Sequence, residues 1–386
     1  MHHYFKKNKQ YKLLSYILIF FTSLNYIFFT YRFFQRENGY ILGDWLINYG
    51  GGFSRRGLFG ETILNLKIFF NIGLINFTFI IIIFLYLIFI YLLIKLISKS
   101  NINFLIVLFI FSPATILFNF YDPLAIGRKE MLFFLFMICY LLYNQSKFFI
   151  YLGTFVAILI TLSHELFALL TPFLFIAKYL DTRSYELKTY FLEIIITFFS
   201  SAIFLLILFL KDPNTIEACN NIVQFGLSPD QACWAINDMG SKPLSIWILD
   251  AAHIWKISYY LNYYGIFLIL MSILIFINLK KNFDLNSIKI FLIIFLSFLP
   301  IIPILFIVND WGRYLNVYSM FWMMILISKN NKQNSSKPNF IGIAAIIIFS
   351  LSWYMPHCCP DRHFITLKYK PGIYYIFERL IYRLNN

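Results

Sequence analysis

Charge is what this sequence has least of. Only 13% of its 386 residues are Asp, Glu, Lys or Arg, against roughly 25% in an ordinary soluble domain. Hydrophobic residues make up 60%, and mean hydropathy is +0.72. This balance excludes a soluble globular enzyme and a disordered chain. Five cysteines in a chain of this length exclude a disulfide-rich secreted module. Familiar cofactor and metal signatures are missing too. There is no P-loop, no G-x-G-x-x-G and no H-E-x-x-H. Ser163-His164-Glu165-Leu166-Phe167-Ala168 has no second histidine, so a zinc-protease reading fails. No internal repeat is evident.

What is present is a series of apolar runs. A helix needs roughly 20 mostly apolar residues to cross the hydrocarbon of a bilayer. Candidate runs lie at 13–31, 72–97, 102–120, 131–144, 148–163, 166–180, 190–210, 258–279, 286–308, 314–328 and 339–355. The expectation is therefore an all-α fold: a polytopic transmembrane helix bundle of about eleven spans, with residues 1–386 forming a single integral membrane domain. The runs at 131–144, 166–180 and 314–328 are short and predict buried half-helices or re-entrant segments. The basic start (Lys6, Lys7, Lys9, Lys12) enters an apolar run with no small-residue cleavage site. It reads as a retained first helix with a cytoplasmic N-terminus.

Alternation from that start places Lys95, Lys99, Lys147, Lys178, Arg183, Lys188, Lys280, Lys281, Lys289, Lys329, Lys332 and Lys337 on the cytoplasmic side. Only Asp181, Glu186 and Asp284 oppose them there, as the positive-inside rule expects. The same rule does not explain nine of the ten arginines falling on the outer face. Arginine offers a rigid fork of donors that matches phosphate and carboxylate.

Four outer segments concentrate this charge. The first outer loop, 32–71, carries Gly50-Gly51-Gly52-Phe53-Ser54-Arg55-Arg56-Gly57, flanked by Asp44 and Glu61. Glycines such as Gly51 and Gly52 let the backbone approach a ligand or turn sharply. Residues 58–68 are expected to form a short interfacial helix. The second segment is Asp122 to Glu130, with Arg128 and Lys129 at the mouth of a short span. Charges there face water, a ligand or one another, or else snorkel to the interface, Lys129 above all. The third is Ser163-His164-Glu165, wedged between two apolar runs. The fourth is Asn309-Asp310-Trp311-Gly312-Arg313-Tyr314, where Asp310 and Arg313 are spaced to pair.

The longest outer loop, 211–257, holds Cys219 and Cys233, whose pairing an oxidising compartment would allow. Cys358 and Cys359 offer alternative partners. They sit near His357 and His363, but the spacing matches no metal site. Cys139 lies within a span and is expected to be inert. The segment 356–386 reads as an interfacial outer tail.

Acids and arginines gathered at one membrane–water boundary suit a substrate with its tail in lipid and its head in water. A polyprenyl-diphosphate-linked sugar is such a substrate. The arginines would stabilise the diphosphate leaving group, and a carboxylate or histidine would take the acceptor's proton. The layout resembles Wzy-type bacterial O-antigen or capsular polysaccharide polymerases, and more broadly C-type integral-membrane glycosyltransferases. That resemblance is one of topology. It implies glycosyl transfer between polyprenyl-diphosphate-linked oligosaccharides at the outer, periplasmic face of the bacterial cytoplasmic membrane, polymerising a surface polysaccharide.

By the same resemblance the catalytic acid of the first outer loop is Asp44 or Glu61. Arg55, Arg56, Arg128 and Arg313 are the diphosphate-binding arginines. His164 and Glu165 are further candidates for the base. Gly51, Gly52, Asp122, Glu130 and Asp310 are expected to support them. The chain departs from many polymerases in its long outer loop, where Lys211, Lys242 and Lys256 stand without an arginine. No cofactor, metal or nucleic acid is expected. The expected partners are the lipid-linked oligosaccharide, the bilayer and other polysaccharide assembly proteins. A flippase or transporter for the same lipid, a non-catalytic envelope assembly partner and an acyltransferase using His164 remain open as alternatives.

Overall fold

A computed structural model describes residues 2–35, 39–70, 72–122, 125–210, 214–227, 257–283, 285–307, 310–330 and 340–355, with 229, 233 and 235–237. The tail 356–386, with His357, Cys358, Cys359 and His363, lies outside them, as does most of 211–257 with its lysines. Every regular element among the described residues is helical.

Helices α1 (His2–Gln35), α2 (Gly39–Leu46), α3 (Gly57–Phe70) and α4 (Leu74–Lys99) open the chain. Then come α5 (Phe104–Ile110), α6 (Phe118–Tyr121), α7 (Met131–Tyr143), α8 (Lys147–Ser163), α9 (Phe167–Leu170) and α10 (Pro172–Thr182). A short 3-10 turn, Leu187–Tyr190, leads into α11 (Phe191–Phe209), followed by α12 (Thr215–Val223). The last described helices are α13 (Ile257–Phe283), α14 (Ser287–Phe298), α15 (Ile301–Ile307), α16 (Trp311–Lys329) and α17 (Phe340–Ser352).

Among the described residues, four stretches are long and apolar enough to cross a membrane: Lys9–Arg32, Leu74–Lys99, Leu187–Ile207 and Ser287–Leu305. Met131–Tyr143 and Phe148–Ser163 are shorter apolar helices. The long helices leave large apolar side chains bare, such as Phe21, Phe84 and Phe198. Apolar surface of this extent is consistent with a membrane protein.

The helix is interrupted within three of the runs expected as single spans. Pro172 opens α10 and separates it from α9, because a helix-interior proline lacks the N–H and clashes with the preceding turn. Pro300 stands between α14 and α15. The run at 102–120 is interrupted between α5 and α6 around Ser112 and Pro113. The run at 314–328 proves longer, as α16 begins at Trp311.

The chain divides into two compact units. The first comprises Met1–Tyr26, Ile90–Ile126 and Ala252–Asn386. Its centre is α16, buried from Trp311 to Ile327. The break after α5 leaves backbone carbonyls without helical partners, and α16 supplies donors. Asn316 Nδ2 donates to the carbonyls of Ala114 (2.9 Å) and Thr115 (3.1 Å). Irregular backbone among apolar helices persists only where such groups are satisfied internally.

The second unit comprises Ile27–Phe89 and Gly127–Ala251. Here α8 packs along α11, and α7 and α3 pack against α8. Glu193, a buried acid on α11, accepts from the Tyr140 hydroxyl of α7. The helix expected over 58–68 is α3, and Gly60 sets its approach to the preceding turn. A Cβ there would lie 2.0 Å from the Ile47 carbonyl oxygen, which is backbone and cannot swing aside. Gly60→Ala is therefore expected to destabilise this unit by about 1–3 kcal/mol. Thermal unfolding of the purified protein in detergent measures it, and an unchanged midpoint would contradict the packing described.

A buried ionic cluster as candidate functional site

Three segments of the second unit bring their charges together. The first runs from α2 through the glycine turn to α3. The turn is fixed by a Gly52 N–H to Tyr49 carbonyl bond of 2.9 Å, with Gly52 at φ 106°. Helix α12 backs it: Asn214 N donates to the Gly51 carbonyl (2.8 Å), and Asn48 Nδ2 donates to the Ala218 carbonyl (2.9 Å). A Cβ at Gly51 would sit 1.8 Å from the Asn214 carbonyl oxygen, so only glycine fits there. Cys219, on α12, is disulfide-bonded to Cys233, which anchors this backing helix. Thus the pairing within the long loop is the one formed.

The second segment is the turn that delivers Arg128, Lys129 and Glu130 to the start of α7. The Trp45 indole N–H donates to the Gly127 carbonyl and ties this turn to α2. The third is the end of α8. His164 caps that helix in an extended conformation (φ −161°, ψ 99°), and Glu165 begins the turn into α9. The ring of Phe133, on α7, meets the His164 imidazole edge-on at 4.9 Å. Asp44, Arg56, Arg128, Lys129, Glu130, His164 and Glu165 are all buried, and Arg55 nearly so.

Arg56 is the hub. Its Nε donates to Glu165 Oε2 (2.9 Å) and Oε1 (3.2 Å), and its Nη2 donates to Oε1 (3.0 Å). Arg55 Nη1 lies 3.9 Å from the same carboxylate. Arg56 Nη1 stands 3.7 Å from Asp44 Oδ1. The backbone of Arg56 is left-handed, φ 68°, a conformation that costs a residue with a Cβ about 1–2 kcal/mol. Its carbonyl accepts from Lys129 Nζ at 2.9 Å. Lys129 is completely buried, so of the two alternatives it does not snorkel but turns toward its neighbours. Its charge is spent inside the cluster.

Asp44 and His164 keep unused hydrogen-bonding capacity among the described residues. Neither carboxylate oxygen of Asp44 has a hydrogen-bond partner among the described residues, and neither ring nitrogen of His164 does. His164 Nε2 is 3.6 Å from Glu130 Oε1, and Nδ1 is 3.9 Å from Glu165 Oε2, both beyond bonding distance. Buried polar atoms without partners are rare, and each needs an explanation.

Burial alone would raise the carboxyls, but their neighbours outweigh it. Lys129, Arg56, His164 and Arg128 hold Asp44 below the usual carboxylate range. Arg56, His164 and Arg55 hold Glu165 well below it. Burial, reinforced by Arg56, lowers the His164 imidazole below its ordinary 6.5, so it is neutral at neutral pH. Burial pulls Lys129 down to about 8, although Asp44, Glu165 and Glu130 draw it upward.

Among the described residues, Arg55, Arg56, Arg128 and Lys129 thus face Asp44, Glu130 and Glu165, four cations to three carboxylates beside a neutral histidine. Such a cluster suits an anion and a group with a proton to give. Among the described residues, no three His, Cys, Asp or Glu side chains are grouped to hold a metal ion.

Other candidates are placed differently. Glu61 Oε2 accepts from Tyr49 N (3.1 Å) and Oε1 from Asn65 Nδ2 (3.1 Å), so this carboxylate holds the glycine turn. Asp122, Asp310 and Arg313 belong to the first unit. There Arg313 Nη1 pairs with Asp310 Oδ2 at 2.6 Å, as their spacing suggested. Lys129 was missed as a site residue, and the signal for it was a lysine flanked by Arg128 and Glu130 at a helix mouth. No protein-family model matches this chain, and neither a curated protein nor a solved structure matches it.

Proposed function

We propose that the protein is a membrane glycosyltransferase that joins polyprenyl-diphosphate-linked oligosaccharides into a surface polysaccharide. One observation carries the reading: among the described residues, Asp44 and His164 hold polar atoms without a hydrogen-bond partner inside a cluster of four cations and three carboxylates. Of the four candidate bases, Glu165 is taken by Arg56 and Glu61 by the glycine turn. Asp44 and His164 remain. The acceptor hydroxyl attacks the anomeric carbon of the donor sugar, forming the new C–O bond. The bond from that carbon to the diphosphate oxygen breaks, and the diphosphate leaves with the electron pair. His164 takes the hydroxyl proton, and the ionised Asp44 stabilises the imidazolium that results. Arg55, Arg128 and Lys129 offset the charge that develops on the diphosphate.

In this reading the chain crosses the membrane about eleven times, with its N-terminus in the cytoplasm and the cluster facing the periplasm. The Cys219–Cys233 disulfide supports that orientation, because such bonds persist in oxidising compartments. The lysine-rich cytoplasmic loops agree with it. Deleting the gene should collapse a long surface-glycan ladder to a single repeat unit. Wild type should restore the ladder, and Asp44→Asn should not. An unchanged ladder in the deletion strain would overturn the reading.

A further inference from the structure

Arg56 holds an unfavourable backbone conformation, and something must keep it there. Three restraints converge on it. The guanidinium is bound by the Glu165 carboxylate through Nε and Nη2. The following Gly57 N–H donates to the Ser54 carbonyl at 3.1 Å. The Arg56 carbonyl accepts from Lys129 Nζ at 2.9 Å across 73 residues of sequence. The first restraint aims the side chain, and the second closes the local turn. Lys129 grips the peptide unit itself from another segment.

A fully buried ammonium is expensive, so its retention calls for an explanation. Strained conformations persist only when their surroundings over-determine them, and they gather at working sites. Lys129 also lies within the field of Asp44, Glu165 and Glu130, which favour its charge, and of Arg56, which opposes it.

We infer that Lys129 is a positioning residue: its charged ammonium clamps the left-handed peptide of Arg56, which aims the guanidinium at Glu165 and leaves Asp44 open to the ligand. A neutral amine donates a weaker hydrogen bond to a carbonyl and supplies no charge to the cluster. Loss of the Lys129 proton therefore loosens the clamp. Its titration near pH 8 makes the clamp sensitive to mild alkali. The inference rests on the proposed glycosyl transfer only for its consequence in activity; the clamp itself is independent of which reaction the site performs.

Chemical labelling separates the two. Phenylglyoxal modification of Arg56 in detergent-solubilised full-length protein, read by mass spectrometry, is compared with that of Arg183, which is partly exposed. Arg56 is expected to be protected in the wild type at neutral pH. Its labelling relative to Arg183 should rise about tenfold on alkalinisation, which corresponds to opening made easier by about 1.4 kcal/mol. The midpoint should lie near pH 8. Lys129→Met should label at the high level throughout, and Lys129→Arg should stay protected across the range.

Protection of Arg56 that is indifferent to pH in the wild type would overturn the clamp, even if Lys129→Met does not fold. So would persistent protection in a folded Lys129→Met. Glycosyl transfer is assayed on the same samples. Labelling as expected with no transfer by the wild type would sink the proposed reaction and leave the clamp standing. Transfer by a wild type whose Arg56 protection ignores pH would do the reverse.

Discussion

Asp44→Asn is expected to lower glycosyl transfer about a hundred- to ten-thousandfold, the range by which a positioned proton-handling group accelerates a reaction. The substitution is nearly isosteric, and the carboxylate it replaces accepts no hydrogen bond among the described residues. Its nearest cation, Arg56 Nη1, is 3.7 Å away, and Arg56 keeps its three bonds to Glu165. The folded protein should therefore survive while the imidazolium loses its stabilising charge. His164→Ala should lose activity to a similar extent, and the double substitution little more than either alone, because the two act as one unit.

The pH profile carries the same logic. His164 is lowered by burial and Arg56. It works as a base only when neutral, so the rate should fall as pH drops through its folded value, which lies below 6.5. An acid limb above 6.5 would mean that His164 is not the base. The alkaline limb should fall near pH 8, where Lys129 gives up its proton.

Glu165→Ala is expected to act on the fold. It would leave the Arg56 guanidinium buried without the carboxylate that receives its Nε and Nη2. Removing one partner of a buried ion pair destabilises by about 3–5 kcal/mol, because the other charge is stranded. Arg56→Ala strands Glu165 in the same way. Combining the two should cost much less than the sum of the single changes, since each cancels the charge the other exposes. Denaturation of the purified variants in detergent gives the cycle. Strict additivity would mean that the pair does not hold the second unit together. Asp44→Asn, measured alongside, should shift stability far less, which separates the group that reacts from the pair that supports it.

These expectations depend on details that the sequence exposes unevenly. Apolar runs such as 74–99 are long enough to declare themselves as helices. So is the pairing potential of Asp310 with Arg313, which is local. The breaks at Pro172 and Pro300 were not read, although a proline inside an apolar run cannot continue its hydrogen bonding and was their legible signal. The interruption at Ser112 and Pro113 is less legible, because its carbonyls are rescued by Asn316, about two hundred residues later. The glycine turn and the three charged segments stood out as unusual. Their convergence did not, because Arg56 meets Glu165 across 109 residues and Lys129 across 73. Charge patterning alone left Lys129 either snorkelling to water or turned toward a ligand or its charged neighbours. Burial among Asp44, Glu130 and Glu165 makes the second choice possible. Likewise nothing local marks Arg56 as left-handed, or separates the engaged carboxylates of Glu61 and Glu165 from the open one of Asp44.

The most direct test is reconstitution of the purified protein into lipid vesicles with a radiolabelled polyprenyl-diphosphate oligosaccharide. The predicted result is a ladder of longer lipid-linked products, with one polyprenyl diphosphate released per new bond, and none of either from Asp44→Asn. Recovery of the substrate chemically unchanged, whether left in place or carried across the bilayer, would contradict the account.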